Sequence, residues 1–297
     1  MRHDRSVHYL PSRWQKGLVA WEEQGRKCLS VPFTWLINEA RGYCLSQRER
    51  VVVGGPAVKL MPERFEGCAD VDAIVPESPV IRRHNPQATT TSTGCDMGCE
   101  FCSVAQIEGP FRELSTWDPA PVVCDSNLLQ CSDAHLRRVI DSLKSQPFVD
   151  LQGIEPRFLT KKRLGWLAEL PIHRLGMGWD SADEERDVFA AIERICAAGF
   201  PKKVVYVYCL VNFRETLDDA LYRVQEMKRV GYPQSAFVMR YQPPDTLQKN
   251  SYVAPQWDPD MLRKFCRYWN MQAYMQGIPW EEYLQGAPPS MQEAFVL

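Results

Sequence analysis

Thr93-Gly-Cys-Asp-Met-Gly-Cys-Glu-Phe-Cys102 holds three cysteines with three and then two residues between them. It follows directly on Ala88–Gly94, a threonine-rich run that reads as a β-strand. Downstream, strand-like and helix-like segments alternate. Pro121–Asp125 reads as a second strand, followed by a helix from Ser132 to about Gln146, in which Leu136, Val139, Ile140 and Leu143 share one face. Phe148–Gly153 reads as a third strand, and Thr160 as the cap of a helix ending near Leu170. His173–Asp180 is a fourth, and Ser181 and Glu184 stand at capping-box spacing before a helix that Gly199 ends. The continuous apolar run Lys203–Val211 predicts a parallel strand covered on both faces. A helix from Leu217 to about Val230 and a sixth strand, Ser235–Gln242, complete the series. Such alternation implies an α/β fold with parallel strands, as an open sheet or a partial barrel.

Two segments flank this core of residues 83–245. Residues 1–82 read as a small α/β unit, with a helix near Ser12–Gln24 and strands at Val51–Pro56 and Val71–Val75, joined to the core through Pro76–Pro86. Residues 246–297 read as a helical extension. Asp258 and Pro259 open a helix running to about Met275, and Leu262, Phe265, Cys266 and Trp269 form its apolar face. The tail after Gly286 carries Pro288 and Pro289.

Composition narrows the function classes. An apolar content of 45% with 24% charged residues fits a globular protein with a full core. The longest apolar run, Val204 to Val211, falls far short of the roughly 20 residues a membrane helix needs. The polar start Met1–Arg5 lacks a signal-peptide apolar region, so a cytoplasmic protein without a membrane partner is expected. A net charge of −2 argues against gripping nucleic acid mainly through phosphates. Arg82-Arg83-His84, Lys161-Lys162-Arg163 and Lys202-Lys203 read as solvated faces. Eleven cysteines without an export signal point to reduced thiols, of which Cys196 and Cys209 read as small core residues.

Three thiolates on one glycine-bearing loop suit a cubane iron–sulfur cluster, which prefers cysteine ligands. Cys95, Cys99 and Cys102 would reach three irons and leave the fourth open. Zinc is the competing reading, but a structural zinc site needs four ligands and a second pair is missing. Cys124 and Cys131 are separated by six residues, and His135 lies on an amphipathic helix. Three unrelated core thiols are the remaining alternative.

The Cys-x3-Cys-x2-Cys loop behind a first strand, with Phe101 before the last cysteine, resembles the radical S-adenosylmethionine superfamily, over about residues 88–245. That resemblance implies a partial (β/α)6 TIM-like barrel and two cofactors, a [4Fe–4S] cluster and S-adenosylmethionine. It also implies an enzyme in which reductive cleavage of S-adenosylmethionine yields a 5′-deoxyadenosyl radical that abstracts hydrogen from a substrate. A one-electron donor such as flavodoxin or ferredoxin is the implied partner. The core is similar to the subgroup containing methylthiotransferases and cobalamin-type radical enzymes, which favours a small molecule or a nucleobase as substrate. A peptide is less favoured, because no auxiliary cysteine cluster lies near the C-terminus.

Functional groups of parallel α/β barrels gather at the C-terminal strand ends. There the resemblance places Asp125, with Asn127, against the methionyl amino group, although the usual Gly-Gly-Glu is absent; a turn pair before Ser132 is the alternative. Glu155 and Arg157 would bind cofactor or substrate, with Arg157 a clamp for the methionyl carboxylate, or would pair with each other. Asp180 would accept from ribose hydroxyls, or cap a helix. Arg240, Gln242 and Asn212 are further candidates for site contact. Val51-Val-Val-Gly-Gly-Pro-Ala57 and Val71–Val75 resemble the later part of a cobalamin-binding-type domain, but the Asp-x-His-x-x-Gly loop is missing. That segment reads as a truncated relic or lid. The alternative function is a non-catalytic iron–sulfur or zinc module for redox sensing or partner binding.

Overall fold

The computed structural model describes residues 14–73, 79–231, 236–270 and 278–286. The chain opens with β1 (Val19–Glu23) and β2 (Arg26–Ser30), an antiparallel hairpin where the sequence pattern predicts a helix. Gln24 and Gly25 both take positive φ, 51° and 72°, the two-residue turn that matches strand twist. Glutamine in the place usually held by asparagine hid that signal. Next come α1 (Ile37–Ser46), β3 (Val51–Gly54), α2 (Pro56–Leu60) and β4 (Ala69–Val71). β2, β3 and β4 pair in parallel, giving a sheet of order β1-β2-β3-β4. Its own core gathers Leu29, Val31, Ile37, Val53, Val58 and Phe65. The predicted strand at Val71–Val75 begins earlier, and its last two residues lie outside the described residues, as do Ser12, His3 and His8. The unit leans on the rest of the chain through polar contacts: Thr34 Oγ1 donates to Thr246 O (2.6 Å), and Lys59 Nζ to Ile107 O (2.9 Å).

A short helix, α3 (Ile81–His84), leads into the main sheet. The predicted first strand is split. β5 (Ala88–Thr89) joins the main sheet, while β6 (Ser92–Thr93) turns away. After α4 (Val104–Glu108), β6 pairs antiparallel with β7 (Arg112–Glu113). The remaining units follow the predicted alternation: β8 (Val122–Val123), α5 (Asp133–Leu143), β9 (Val149–Ile154), α6 (Lys161–Leu167), β10 (Ile172–Trp179), α7 (Glu185–Ala197), β11 (Val205–Val211), α8 (Leu217–Arg229) and β12 (Ala236–Arg240). These six strands form one parallel sheet in the order β12-β11-β10-β9-β8-β5. The α/β class with six parallel strands is thus present, in an unbroken sequential order. Thr160 caps its helix as read, accepting from Arg163 N (3.3 Å), and Ser132, where the sequence starts a helix, caps α5 by accepting from His135 N (3.2 Å).

Alternation along the strands sorts the two sheet faces. Leu151, Leu175, Met177, Val205 and Val207 pack against the stripes of α5–α8, including Leu136, Ile140, Val188 and Ile195. The C-terminal helices belong to the same core. In α9 (Pro259–Asn270), which Asp258 caps through Met261 N (2.8 Å), Leu262, Phe265 and Trp269 are buried; Trp280 joins them from α10 (Trp280–Gln285). The predicted continuation of α9 to Met275 lies outside the described residues. Asn270 also reaches the outer edge of β12: its Oδ1 accepts from Val238 N (2.8 Å) and its Nδ2 donates to Val238 O (3.0 Å). Among the described residues no helix is long and apolar enough to cross a membrane.

Phe265 sits between Trp257, Trp269 and Trp280, with ring centroids 5.6–6.1 Å away. Phe265→Ala is therefore expected to lower the unfolding free energy by about 3–5 kcal/mol in a single transition shared with the sheet. Urea denaturation under reducing conditions would check it. A separate, earlier transition for the C-terminal helices would contradict their place in the main core.

Candidate functional site

The cysteine loop starts where the first strand breaks, and the break has a visible cause. The Asp125 carboxylate, just past β8, accepts from Thr91 N (2.7 Å), Thr91 Oγ1 (2.6 Å) and Ser92 Oγ (2.6 Å). A side chain thus takes the donor that a straight strand would give to its neighbour, and the chain swings out as β6. Burial raises the Asp125 pKa, against the lowering effect of the Ser92 and Thr91 hydrogen bonds.

Beyond the bend, other side chains fix the loop. Glu108, at the end of α4, accepts from Gly94 N (2.6 Å) and from Ser126 Oγ (2.9 Å), tying the loop's start to the β8 end. Gln130 accepts from Asp96 N (3.1 Å) and donates to Asp96 Oδ2 (2.6 Å). Gly94 adopts a φ of +79°, and a Cβ there would collide with Pro110 and Gly109 backbone atoms, so no other residue fits.

Cys95, Cys99 and Cys102 are free thiols, and all three line one cavity of about 180 Å³ at the C-terminal end of the main sheet. Burial first, then the charges of Cys102, Glu184, Asp180 and Cys95, pushes the Cys99 thiol up to about 11. Cys102 is likewise raised, by burial and by Cys95 and Asp180. The three thiols therefore lie within one another's electrostatic reach. Among the described residues no group of three His, Cys, Asp or Glu side chains is arranged to hold a metal ion. Three thiols on one loop are the donor type that iron–sulfur clusters take. Cys124 and Cys131, weighed as further ligands, are not in the cavity lining; Cys124 donates to Val122 O and Cys131 is part of the hydrophobic core.

The other wall of the cavity collects several of the sequence candidates. Asn127 is buried and donates from Nδ2 to Cys95 Sγ (3.5 Å), while its Oδ1 is buried without a partner. Glu155 and Arg157 both line the cavity and also pair with each other at 2.6 Å, so the two readings of them coexist. Asp180 lines it as well. The helix-capping role weighed for it falls to Ser181 and Glu184, whose Oε2 accepts from Asp180 N (2.7 Å) and Ser181 N (3.3 Å). Burial, then the Glu184 charge, pushes Asp180 up to about 7. With Glu184 and Asp187 also present, the lining carries more carboxylates than cations.

The structure places the remaining candidates elsewhere. Asp125 is not in the cavity lining, and both its oxygens are committed to Thr91 and Ser92. Arg240 shares the helix-facing side of β12 with Val238, donates to Tyr252 O (2.7 Å), and loses basicity by burial. The period of two on that strand turns Phe237 and Met239, not Arg240, to the other face. Gln242 accepts from Asn250 N (2.5 Å). Asn212, at φ 72°, donates to Tyr241 O and Tyr252 O and accepts from Ala254 N. All three anchor the loop between β12 and α9. Glu108 and Gln130 were missed by sequence reading, and no local pattern marks them; only the closure of the loop gives them a role.

No family model matches the chain, and no curated protein matches it. Its fold is similar to that of a solved radical S-adenosylmethionine methyltransferase, TsrM, from Kitasatospora setae, with cobalamin and a [4Fe–4S] cluster bound. The TM-score is 0.53 at 12% identity, covering 76% of this chain and 67% of that one. The likeness is one of fold.

Removing the Asp125 carboxylate strands three donors. Asp125→Ala is expected to destabilise the chain by about 2–4 kcal/mol, and Asp125→Asn by clearly less, because an amide oxygen still accepts from Thr91 N. Chemical denaturation of both variants measures this. Equal, negligible losses would return the carboxylate to a ligand-binding role.

Proposed function

We propose that the chain is a radical S-adenosylmethionine enzyme, with Cys95, Cys99 and Cys102 holding a [4Fe–4S] cluster. The observation that carries this reading is the shared cavity. Three free thiols on one loop face the same space as an unpartnered buried acceptor, Asn127 Oδ1, at the C-terminal end of a parallel α/β sheet. A curved, partial-barrel form of that sheet belongs to the same proposal, as does a division of the chain into residues 1–82, 83–245 and 246–297.

The lining fits S-adenosylmethionine. Asn127 Oδ1 would accept from its ammonium group, and the surplus of carboxylates suits a ligand bearing ammonium and sulfonium charge. Arg157 would hold the methionyl carboxylate while Glu155 keeps its guanidinium in place. Asp180 would bond the ribose hydroxyls. Met97, Phe101, Val104 and Ile154 supply the apolar part of the wall, which limits water at the thiols. The raised Cys99 and Cys102 thiols would have to give up their protons to hold a cluster, so its assembly would release acid. Once bound, the two cofactors supply one-electron cleavage of the sulfonium and hydrogen abstraction. A flavodoxin or ferredoxin is the proposed electron donor, and a small molecule or nucleobase the proposed substrate. The N-terminal unit is read as a relic or lid; His84, just past its end, has both ring nitrogens engaged with it, at Gln15 O (2.7 Å) and Ser30 Oγ (2.9 Å).

Anaerobic reconstitution with iron and sulfide is expected to give the broad visible absorbance of a [4Fe–4S] cluster. Adding reductant and S-adenosylmethionine should then release 5′-deoxyadenosine, with both signals lost in Cys99→Ala. An intact cluster that yields no 5′-deoxyadenosine, or a tightly bound zinc in place of iron, overturns the proposal. Gly94→Ala should retain less than about a tenth of the iron, whereas Gly98→Ala, strained by a φ of +66° but with open space for its Cβ, should retain several times more than Gly94→Ala. Iron analysis after gel filtration decides between them.

A further inference from the structure

The face of the main sheet opposite its helices is neither packed nor polar in the ordinary way. On β10 it carries Arg174, Gly176 and Gly178, on β11 Tyr206 and Tyr208, and on β12 Phe237 and Met239. The register sets Gly176 beside Tyr206, Gly178 beside Tyr208, and Tyr208 beside Phe237. Phe237 lies 6.1 Å from Tyr206 at an interplanar angle of 30°, and 6.3 Å from Tyr208. The Tyr208 ring lies across β10, since a Cβ at Gly176 would come within 2.8 Å of it, and its hydroxyl donates towards Gln152 Oε1 (3.5 Å). Next to them Met239 is 52% exposed, a large apolar side chain on the inner face of a parallel sheet.

One cation stands in this aromatic field. The Arg174 guanidinium packs 4.4 Å over the Tyr206 ring, and its Nε is buried without a hydrogen-bond partner. Tyr206 and Tyr208 are its side-chain partners, and among the described residues no carboxylate makes an ion pair with it; Asp150, its register partner on β9, is within electrostatic reach but pairs with His173 Nδ1 at 2.7 Å. The platform also runs into the cofactor cavity. Gly178 lines that cavity, and its register partner on β11 is Tyr208.

We infer that this face binds the substrate, and that the substrate is a planar aromatic molecule bearing an acidic group. Its ring lies on Tyr208 and Phe237 with Met239 alongside, and its carboxylate or phosphate is received by Arg174. Ring stacking and thioether contact favour a π-system over an aliphatic chain. A half-buried guanidinium without an ion-pair partner selects an acid over a neutral analogue. The inference rests on the proposed function for its geometry, because it assigns the neighbour of the cofactor cavity.

Equilibrium binding tests it without turnover. Isothermal titration of the anaerobically reconstituted protein would compare indole-3-acetate, its neutral amide indole-3-acetamide, and hexanoate. The expected order is indole-3-acetate tightest, with the amide and the aliphatic acid each weaker by about tenfold or more. Arg174→Gln should erase the preference for the acid over the amide, and Phe237→Leu the preference for the aromatic over the aliphatic acid, each with an unchanged melting temperature. Equal affinity for acid and amide, unaltered preferences in both variants, or no binding of any probe at millimolar concentration overturns the inference. The acid preference with no 5′-deoxyadenosine formed would sink the proposed function and leave this site; the reverse result would sink only the site.

Discussion

A buried carboxylate bends the first strand of this protein, and the position of the cysteine loop depends on that bend. Asp125 draws Thr91 and Ser92 out of the sheet ladder with three hydrogen bonds. The short pairing of β6 with β7, the tether from Glu108 to Gly94, and the Gln130–Asp96 pair then carry the chain around to the mouth of the sheet. A charge in so dry a place is costly unless it is well solvated by donors, and here the backbone and two hydroxyls provide that solvation. The side chain that the family resemblance assigns to a ligand is instead spent on shape.

The cavity built on this bend combines two kinds of pressure. Burial, and after it the mutual repulsion of its thiols and carboxylates when ionised, is why Cys99 and Asp180 both titrate above their ordinary ranges. A positively charged occupant relieves that repulsion, and Asn127 presents an acceptor already stripped of water. The protein thus holds a pre-formed electrostatic demand, and its fold supplies the direction from which the demand is met.

Much of the architecture was legible in the sequence because each unit announces itself locally. The stripes of α5 and α7, the cap at Thr160, and the continuous run of β11 need no tertiary context. The cysteines stood out by their spacing, Asn127, Glu155, Arg157 and Asp180 by their places at the strand ends, and the cavity gathers them. The failures share a different physics. The β1–β2 hairpin turns on a glutamine at positive φ, which no propensity favours. Arg240 was misplaced by one step of strand alternation, and Asp125 by a bend that only its own hydrogen bonds create. Glu108 and Gln130 matter through loop closure over a dozen residues or more, a relation that spacing along the chain does not encode.

The contact between Asn270 and β12 has a consequence for the molecule among its neighbours. An open parallel sheet ends in a row of unused donors and acceptors, an invitation for a foreign strand to zip on. One amide side chain occupies both groups of Val238, midway along the five-residue terminal strand. A would-be partner finds its register blocked at the centre and too little backbone on either side to hold it.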